Sequence, residues 1–132
     1  MIVVDASVVA EVINPAGQRH ANVRARIGPE PDWVAPHLID IEVMSALRKA
    51  HRTLQVIDAT QFEQLVGLYG QLAIRRVGHL LLLDRIRELS HNYTAYDAAY
   101  LALAEALRCP LVTCDGKLAR SPSHHAVVEV IT

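Results

Sequence analysis

Met1-Ile2-Val3-Val4-Asp5-Ala6-Ser7 carries an unbroken β-branched run that stops at a carboxylate, and helical spacing follows at once at Val8, Val9, Val12 and Ile13. A continuous run of this kind is the signature of a strand buried on both faces, as in a parallel sheet. A strand that ends in Asp and turns directly into a helix sets that Asp at the carboxyl edge of the sheet. Ligands of open α/β folds bind in the crevice at that edge. The acids to look for further along are therefore those that other elements can carry to the same place.

Outward from this stretch, Ser7 to Asn14 reads as a helix stopped by Pro15 and Gly17, and His20 to Ile27 as a second helix with Arg24 and Arg26 facing out. Gly28-Pro29-Glu30-Pro31 is a rigid connector, followed by a brief strand, Trp33-Val34-Ala35, before Pro36. His37 to His51 is helical, with Ile39, Val43, Ala46, Leu47 and Ala50 on one stripe. Asp58 to Tyr69 is another helix, Ile74 to Val77 a strand, and His79 to Ser90 a helix containing the run Leu80 to Leu83. Thr94 to Leu107 is apolar nearly all round, as a central buried helix is. Leu111-Val112-Thr113 is a strand ending in Cys114-Asp115-Gly116, and Ala126 to Ile131 is the last strand. Alternating strands and helices predict an α/β architecture: one domain over residues 1–132, with a short, mostly parallel central sheet flanked by helices.

Composition narrows the function. With 132 residues, 52% of them hydrophobic, the chain is long enough to bury a real core. No stretch of about 18 apolar residues is present, so no membrane span is expected, and the protein is read as cytoplasmic. Cys109 and Cys114 lack zinc-finger spacing and are expected as reduced thiols. Thirteen basic residues against 14 acidic ones leave a net charge of −1, so a nucleic-acid partner needs a local basic patch.

The carboxylates carry the chemistry. Asp5 and Asp115 both follow short apolar strands and both reach the carboxyl edge. Glu42 falls on the apolar stripe of its helix, and Asp97 is the sole charge between Thr94 and Leu103. A lone carboxylate in an apolar face is costly unless paired, hydrogen-bonded or bound to a cation. Four acids converging without basic partners point to a divalent metal, and hard oxygen donors with no Cys or His cluster favour Mg²⁺ or Mn²⁺ over zinc.

Each acid also has a purely structural reading. Asp5 is placed to cap the first helix and Asp115 a turn at Lys117-Leu118-Ala119, while Thr94-Ala95-Tyr96-Asp97 has the pattern of a capping box. Glu42 is mid-helix, so its alternative is a salt bridge to an arginine folded over it. Ser7 and Thr113, each two residues from a candidate acid, either satisfy backbone groups or hydrogen-bond a metal-bound carboxylate. His124-His125, in a polar loop with Ser121, Pro122 and Ser123, is read as solvated surface.

Asp5-Ala6-Ser7 after an apolar strand, Glu42 within Ile39 to Leu47, Tyr96-Asp97-Ala98-Ala99-Tyr100-Leu101-Ala102-Leu103-Ala104, and Thr113-Cys114-Asp115-Gly116-Lys117-Leu118 together resemble the PIN-domain ribonucleases. Within them the likeness is to the VapC toxins of VapBC toxin–antitoxin modules, and it covers essentially the whole chain. The segments from Gln18 to Asp32 and from Thr53 to Leu89 match only in helical pattern.

The resemblance implies a PIN-like fold and an endoribonuclease in which Asp5, Glu42, Asp97 and Asp115 bind Mg²⁺ or Mn²⁺, with Ser7 and Thr113 behind them. It implies a type II toxin that inhibits translation until a cognate antitoxin neutralises it, a homodimer, and an RNA substrate such as transfer or ribosomal RNA. Candidate RNA contacts are Arg48, Lys49, Arg52 and Lys117, with Arg75, Arg76 and Arg120 as further basic side chains. Two other readings stand beside it. One is a metal-dependent phosphohydrolase of another substrate, weakened because no second acid follows two residues after Asp5. The other is a non-catalytic module of the same fold, weakened because all four acids are present.

Overall fold

A computed structural model of the chain describes residues 1–120 and 123–132. The elements in order are β1 (Ile2–Val4), α1 (Ala6–Ile13), α2 (His20–Ile27), β2 (Trp33–Pro36) and α3 (Ile39–Arg48), which runs on into a π-helical turn, Lys49–Thr53. Then come α4 (Ala59–Gly70), β3 (Ile74–Val77), a 3-10 turn (Leu80–Leu82) leading into α5 (Leu83–Leu89), and α6 (Ala95–Leu107). The chain closes with β4 (Leu111–Thr113), a 3-10 turn (Gly116–Ala119) and β5 (Val128–Val130). No helix among the described residues is long and apolar enough to cross a membrane.

The sheet order is β3-β2-β1-β4-β5, and every pair is parallel. The expected mostly parallel sheet is thus wholly parallel, β5 included. β1 is central, and all of Ile2, Val3 and Val4 are buried, as the unbroken β-branched run requires. From β1 the chain builds outward to β2 and β3, then returns to the other side of β1 for β4 and β5. The strand order therefore reverses between β1 and β4, and this opens a crevice beyond their carboxyl ends. α6 packs across β1, β2 and β4 with α5 beside it, while α1 gathers α2, α3 and α4. With right-handed crossovers, the reversal puts these two groups on opposite faces of the sheet.

Capping explains where the helices start. The Asp5 side chain accepts from the Val8 N–H, and Asp58 with Gln61 forms a complete capping box at α4. Thr94 accepts from the Asp97 N–H, but the reciprocal bond from the Asp97 side chain is absent among the described residues, so only half of the expected box forms. A clamp ties the far edge: Arg26 of α2 bonds Glu129 of β5 at 2.6 Å and Glu30 at 2.8 Å.

Three local expectations change. The helix from His79 to Ser90 begins as a 3-10 turn, and Leu80 and Leu81 are 79% and 96% exposed. Four consecutive leucines cannot share one helical face, and burying Leu82, Ile86 and Leu89 turns the others outward. On α3 the buried stripe is Ile39, Val43 and Leu47, with Ala46 exposed. His124 is not solvated surface: it is half-buried, its Nε2 lies 2.7 Å from the Leu118 carbonyl oxygen, and its ring packs against Tyr93 at 5.8 Å. His125 is exposed as expected, and Ser121 and Pro122 of that loop lie outside the described residues.

Candidate active site

Asp5, at the end of β1, is 7% exposed, and both of its oxygens accept hydrogen bonds from neighbours, two on Oδ1 and one on Oδ2. Oδ1 accepts from Ser7 Oγ at 2.6 Å and from the Val8 N–H at 3.1 Å, and Oδ2 accepts from Thr113 Oγ1 at 2.5 Å. The same two hydroxyls accept in turn from the neighbouring loop: Ser7 Oγ from the Cys114 N–H, and Thr113 Oγ1 from the Asp115 N–H, both at 2.9 Å. Each hydroxyl thus uses its donor on Asp5 and an acceptor lone pair on the backbone leading to Asp115. The ends of β1 and β4 are stitched together at the switch point by Ser7 and Thr113.

Asp115 itself is half-buried. It accepts from the Lys117 N–H at 2.9 Å and lies 3.8 Å from Lys117 Nζ. Capping and site-building are therefore not alternatives, because Asp5 and Asp115 each cap a helical turn through Oδ1 alone, and Oδ2 of each stands outside the cap.

Glu42 and Asp97 come from opposite sides. Glu42, read from the sequence as mid-helix, lies in the first turn of α3 because the helix starts at Ile39 and not at His37, and Asp97 lies in the first turn of α6. The arginine expected as a structural partner for Glu42 is absent among the described residues. Its Oε1 is a buried acceptor that no described group satisfies, and the buried Tyr100 hydroxyl beside it is likewise without a bond.

Burial is the main cause that pushes the carboxyls of Asp5, Glu42 and Asp97 above their ordinary range. Their mutual charge adds to it: Asp115 acts on Asp5 and on Asp97, and Asp5 and Asp97 act on Glu42. Opposing this are the hydroxyls of Ser7 and Thr113 on Asp5, the phenol of Tyr100 on Glu42, and the charge of Lys117 on Asp97. Like charge therefore reaches Asp5 and Asp97 from Asp115, and Glu42 from both Asp5 and Asp97. Among the described residues, no three His, Cys, Asp or Glu side chains close into a ready-made metal cage. The donor set nonetheless fits a hard divalent cation, since it is all carboxylate oxygen, with no Cys or His among it.

The basic candidates separate. Lys117 and Arg120 share an open pocket of about 400 Å³ with Asp97, Thr94, Asn92 and Tyr93. Arg48 and Arg52 line a different hollow, with Met44 and Phe62, and Lys49 is exposed beyond the end of α3. Arg76 is held by Asp40 at 2.7 Å under the Tyr69 ring, and Arg75 reaches Met1 Sδ at 3.2 Å. Sequence reasoning passed over Tyr100, Asn92 and Tyr93. For Tyr100 a signal was present: it is the one hydroxyl in the buried run of α6, one turn past Asp97.

The PIN domain family profile matches residues 2–122. The ribonuclease VapC12 of Mycobacterium tuberculosis is 38% identical to this chain, and the match covers 99% of each. Among solved structures, M. tuberculosis VapC20, described as a sarcin-ricin loop cleaving toxin, matches over the full length of both chains with a TM-score of 0.73 at 16% identity. VapBC2 from Rickettsia felis, solved bound to a DNA fragment from its promoter, has a TM-score of 0.67 at 14% identity, again covering both chains fully.

Proposed function

The chain belongs to the PIN domain family and, within it, to the VapC ribonucleases, and from that premise we propose that it is the toxin of a type II toxin–antitoxin pair, a Mg²⁺- or Mn²⁺-dependent endoribonuclease. The observation that supports this reading is the placing of Asp5 and Asp115 after the adjacent strands β1 and β4, with Glu42 and Asp97 near enough for like charge to act among the four. Lys117 on Asp115 is their one ion-pair partner among the described residues.

These four side chains would hold the cation. A divalent cation held there supplies charge neutralisation at phosphate oxygens and acidifies water for in-line attack on the phosphodiester. The chain's own groups do the rest. Ser7 and Thr113 lock Asp5 in one orientation from both oxygens. Val4 and Val112 provide a buried apolar floor, over which charge interactions are stronger than in water. Lys117 and Arg120, at the mouth of the pocket, attract the phosphates of flanking nucleotides. Tyr96, exposed on the first turn of α6, offers a face for one base. The products would be a 3′-hydroxyl and a 5′-phosphate, with no covalent link to the enzyme. The substrate class is structured RNA cut at a single-stranded segment, of the transfer or ribosomal kind.

Exposed Leu80, Leu81 and Ile41 support a protein partner: they are apolar surface for a second copy of the chain or for an antitoxin segment crossing the helices. Binding of the antitoxin over the crevice would end cleavage and restore translation. The test is cleavage of a transfer or ribosomal RNA by the purified protein in Mg²⁺, in EDTA, and by Asp5→Asn in Mg²⁺. Cleavage in the first alone is expected. Cleavage that persists in EDTA, or in a folded Asp5→Asn protein, overturns the assignment.

A further inference from the structure

Within α6 the stretch from Ala98 to Ala104 is buried, and Tyr100 is its one polar side chain, 2% exposed. A tyrosine buried this deeply ordinarily finds a partner for its hydroxyl. Tyr100 Oη has none among the described residues, and neither has Oε1 of Glu42. The two groups are neighbours: the phenol lies close enough to act as a donor on the Glu42 carboxyl and draw its pKa down, but the pair falls short of good hydrogen-bond geometry. One is a donor without an acceptor, and the other is an acceptor without a donor.

The helix positions fit. Tyr100 lies three residues after Asp97, so both project toward the same side of α6. Asp97 lines an open pocket with Lys117, and Tyr100 lies one turn further along α6, within its buried stretch. The terminal torsion of a glutamate is broad and turns at little cost, whereas the phenol is fixed by its packing. Of the pair, it is the carboxylate that adapts.

We infer that Tyr100 is the positioning residue for Glu42: its hydroxyl donates to Oε1 and leaves the second oxygen to face a divalent cation. This rests on the metal reading of the preceding subsection, and it assigns Tyr100 no contact with RNA or with the reacting atoms. A hydroxyl held in waiting in this way resembles the outer partners that orient metal ligands elsewhere, whose loss weakens metal binding by roughly 10- to 100-fold. It also explains why α6 carries a tyrosine where phenylalanine would fill the same space with no polar atom to satisfy.

The experiment compares wild type, Tyr100→Phe and Glu42→Gln, without RNA, by the electron paramagnetic resonance signal of free Mn²⁺ and by melting in EDTA; kcat and KM for RNA cleavage are then measured across a Mn²⁺ titration. For Tyr100→Phe the dissociation constant for Mn²⁺ should rise about tenfold, and the melting temperature in EDTA should be equal to or above that of wild type. At limiting Mn²⁺ its kcat should fall with KM for RNA unchanged, and excess Mn²⁺ should restore it. Glu42→Gln should bind Mn²⁺ still more weakly. Wild-type Mn²⁺ affinity in Tyr100→Phe overturns the inference, and so does a lowered melting temperature in EDTA with no change in affinity, which marks a packing role. If wild type and Glu42→Gln bind Mn²⁺ alike, or neither binds it, the metal reading itself fails and the positioning role goes with it.

Discussion

Replacing Thr113 by Val keeps the shape of a fully buried side chain and removes a single hydroxyl. That hydroxyl gives Asp5 Oδ2 its 2.5 Å hydrogen bond and takes up the Asp115 N–H at 2.9 Å. A hydrogen bond to a charged group contributes about 1.5–3 kcal/mol, and an N–H left open in a partly buried place costs roughly a further 1 kcal/mol. The folded state should therefore lose about 3 kcal/mol at neutral pH. Urea titration reads this directly: with a slope of roughly 1.5 kcal/mol per M, the midpoint should fall by about 2 M. Thr113→Ser keeps the hydroxyl and loses one methyl, so it should cost only about 1 kcal/mol. Burial holds the Asp5 carboxyl above its ordinary range, and Thr113 is among the groups that pull it down. The Thr113→Val deficit should narrow as pH falls through the raised pKa of the folded Asp5 carboxyl, where the neutral group no longer benefits from charge assistance. A midpoint for Thr113→Val within about 0.3 M of wild type at neutral pH, or a Thr113→Ser deficit as large as that of Val, refutes the stitching of β1 to β4 by this hydroxyl.

Asp97→Asn should abolish RNA cleavage and lose the rise in melting temperature that Mn²⁺ gives wild type; a folded Asn variant that still cleaves removes Asp97 from the site. Asp5, Glu42 and Asp97 all have raised pKa values in the fold, so the folded state holds protons that the unfolded chain releases. Their contribution to stability is full below the unfolded values and lost as pH rises through the folded ones. In EDTA, Asp97→Asn should accordingly match wild type below about pH 4 and melt higher than wild type at neutral pH; a gap that closes as pH rises contradicts the repulsion. Lys117→Ala and Arg120→Ala should each raise KM for RNA with the fold intact, and each should flatten the slope of log affinity against log salt by about 0.7 if it meets one phosphate of a single strand. Arg26→Ala cuts the half-buried clamp from α2 to β5 and should cost about 1 kcal/mol while leaving cleavage unchanged.

Much of this protein is written locally. A β-branched run ending in Asp, a capping residue before α1, α4 and α6, and an almost wholly apolar α6 are short-range patterns, and they place the strands, the helices and the four acids in order. Asp5 and Asp115 were readable because a strand end has a defined position in a parallel sheet, and Glu42 and Asp97 because charges on apolar stripes stand out. The tertiary structure decided what depends on partners distant in sequence. His124, among polar neighbours, reads as surface, yet it packs on Tyr93 and bonds the Leu118 carbonyl. Arg75, Arg76 and Lys117 are indistinguishable as charges in a string. Only packing turns the first two to Met1 and Asp40 and leaves the third beside Asp97. The same holds for Tyr100, whose hydroxyl acquires significance only where α3 brings Glu42 against α6. Local chemistry sets what each segment can form; the burial and neighbours that set a side chain's proton affinity and its work come from elements scores of residues away, which no periodicity encodes.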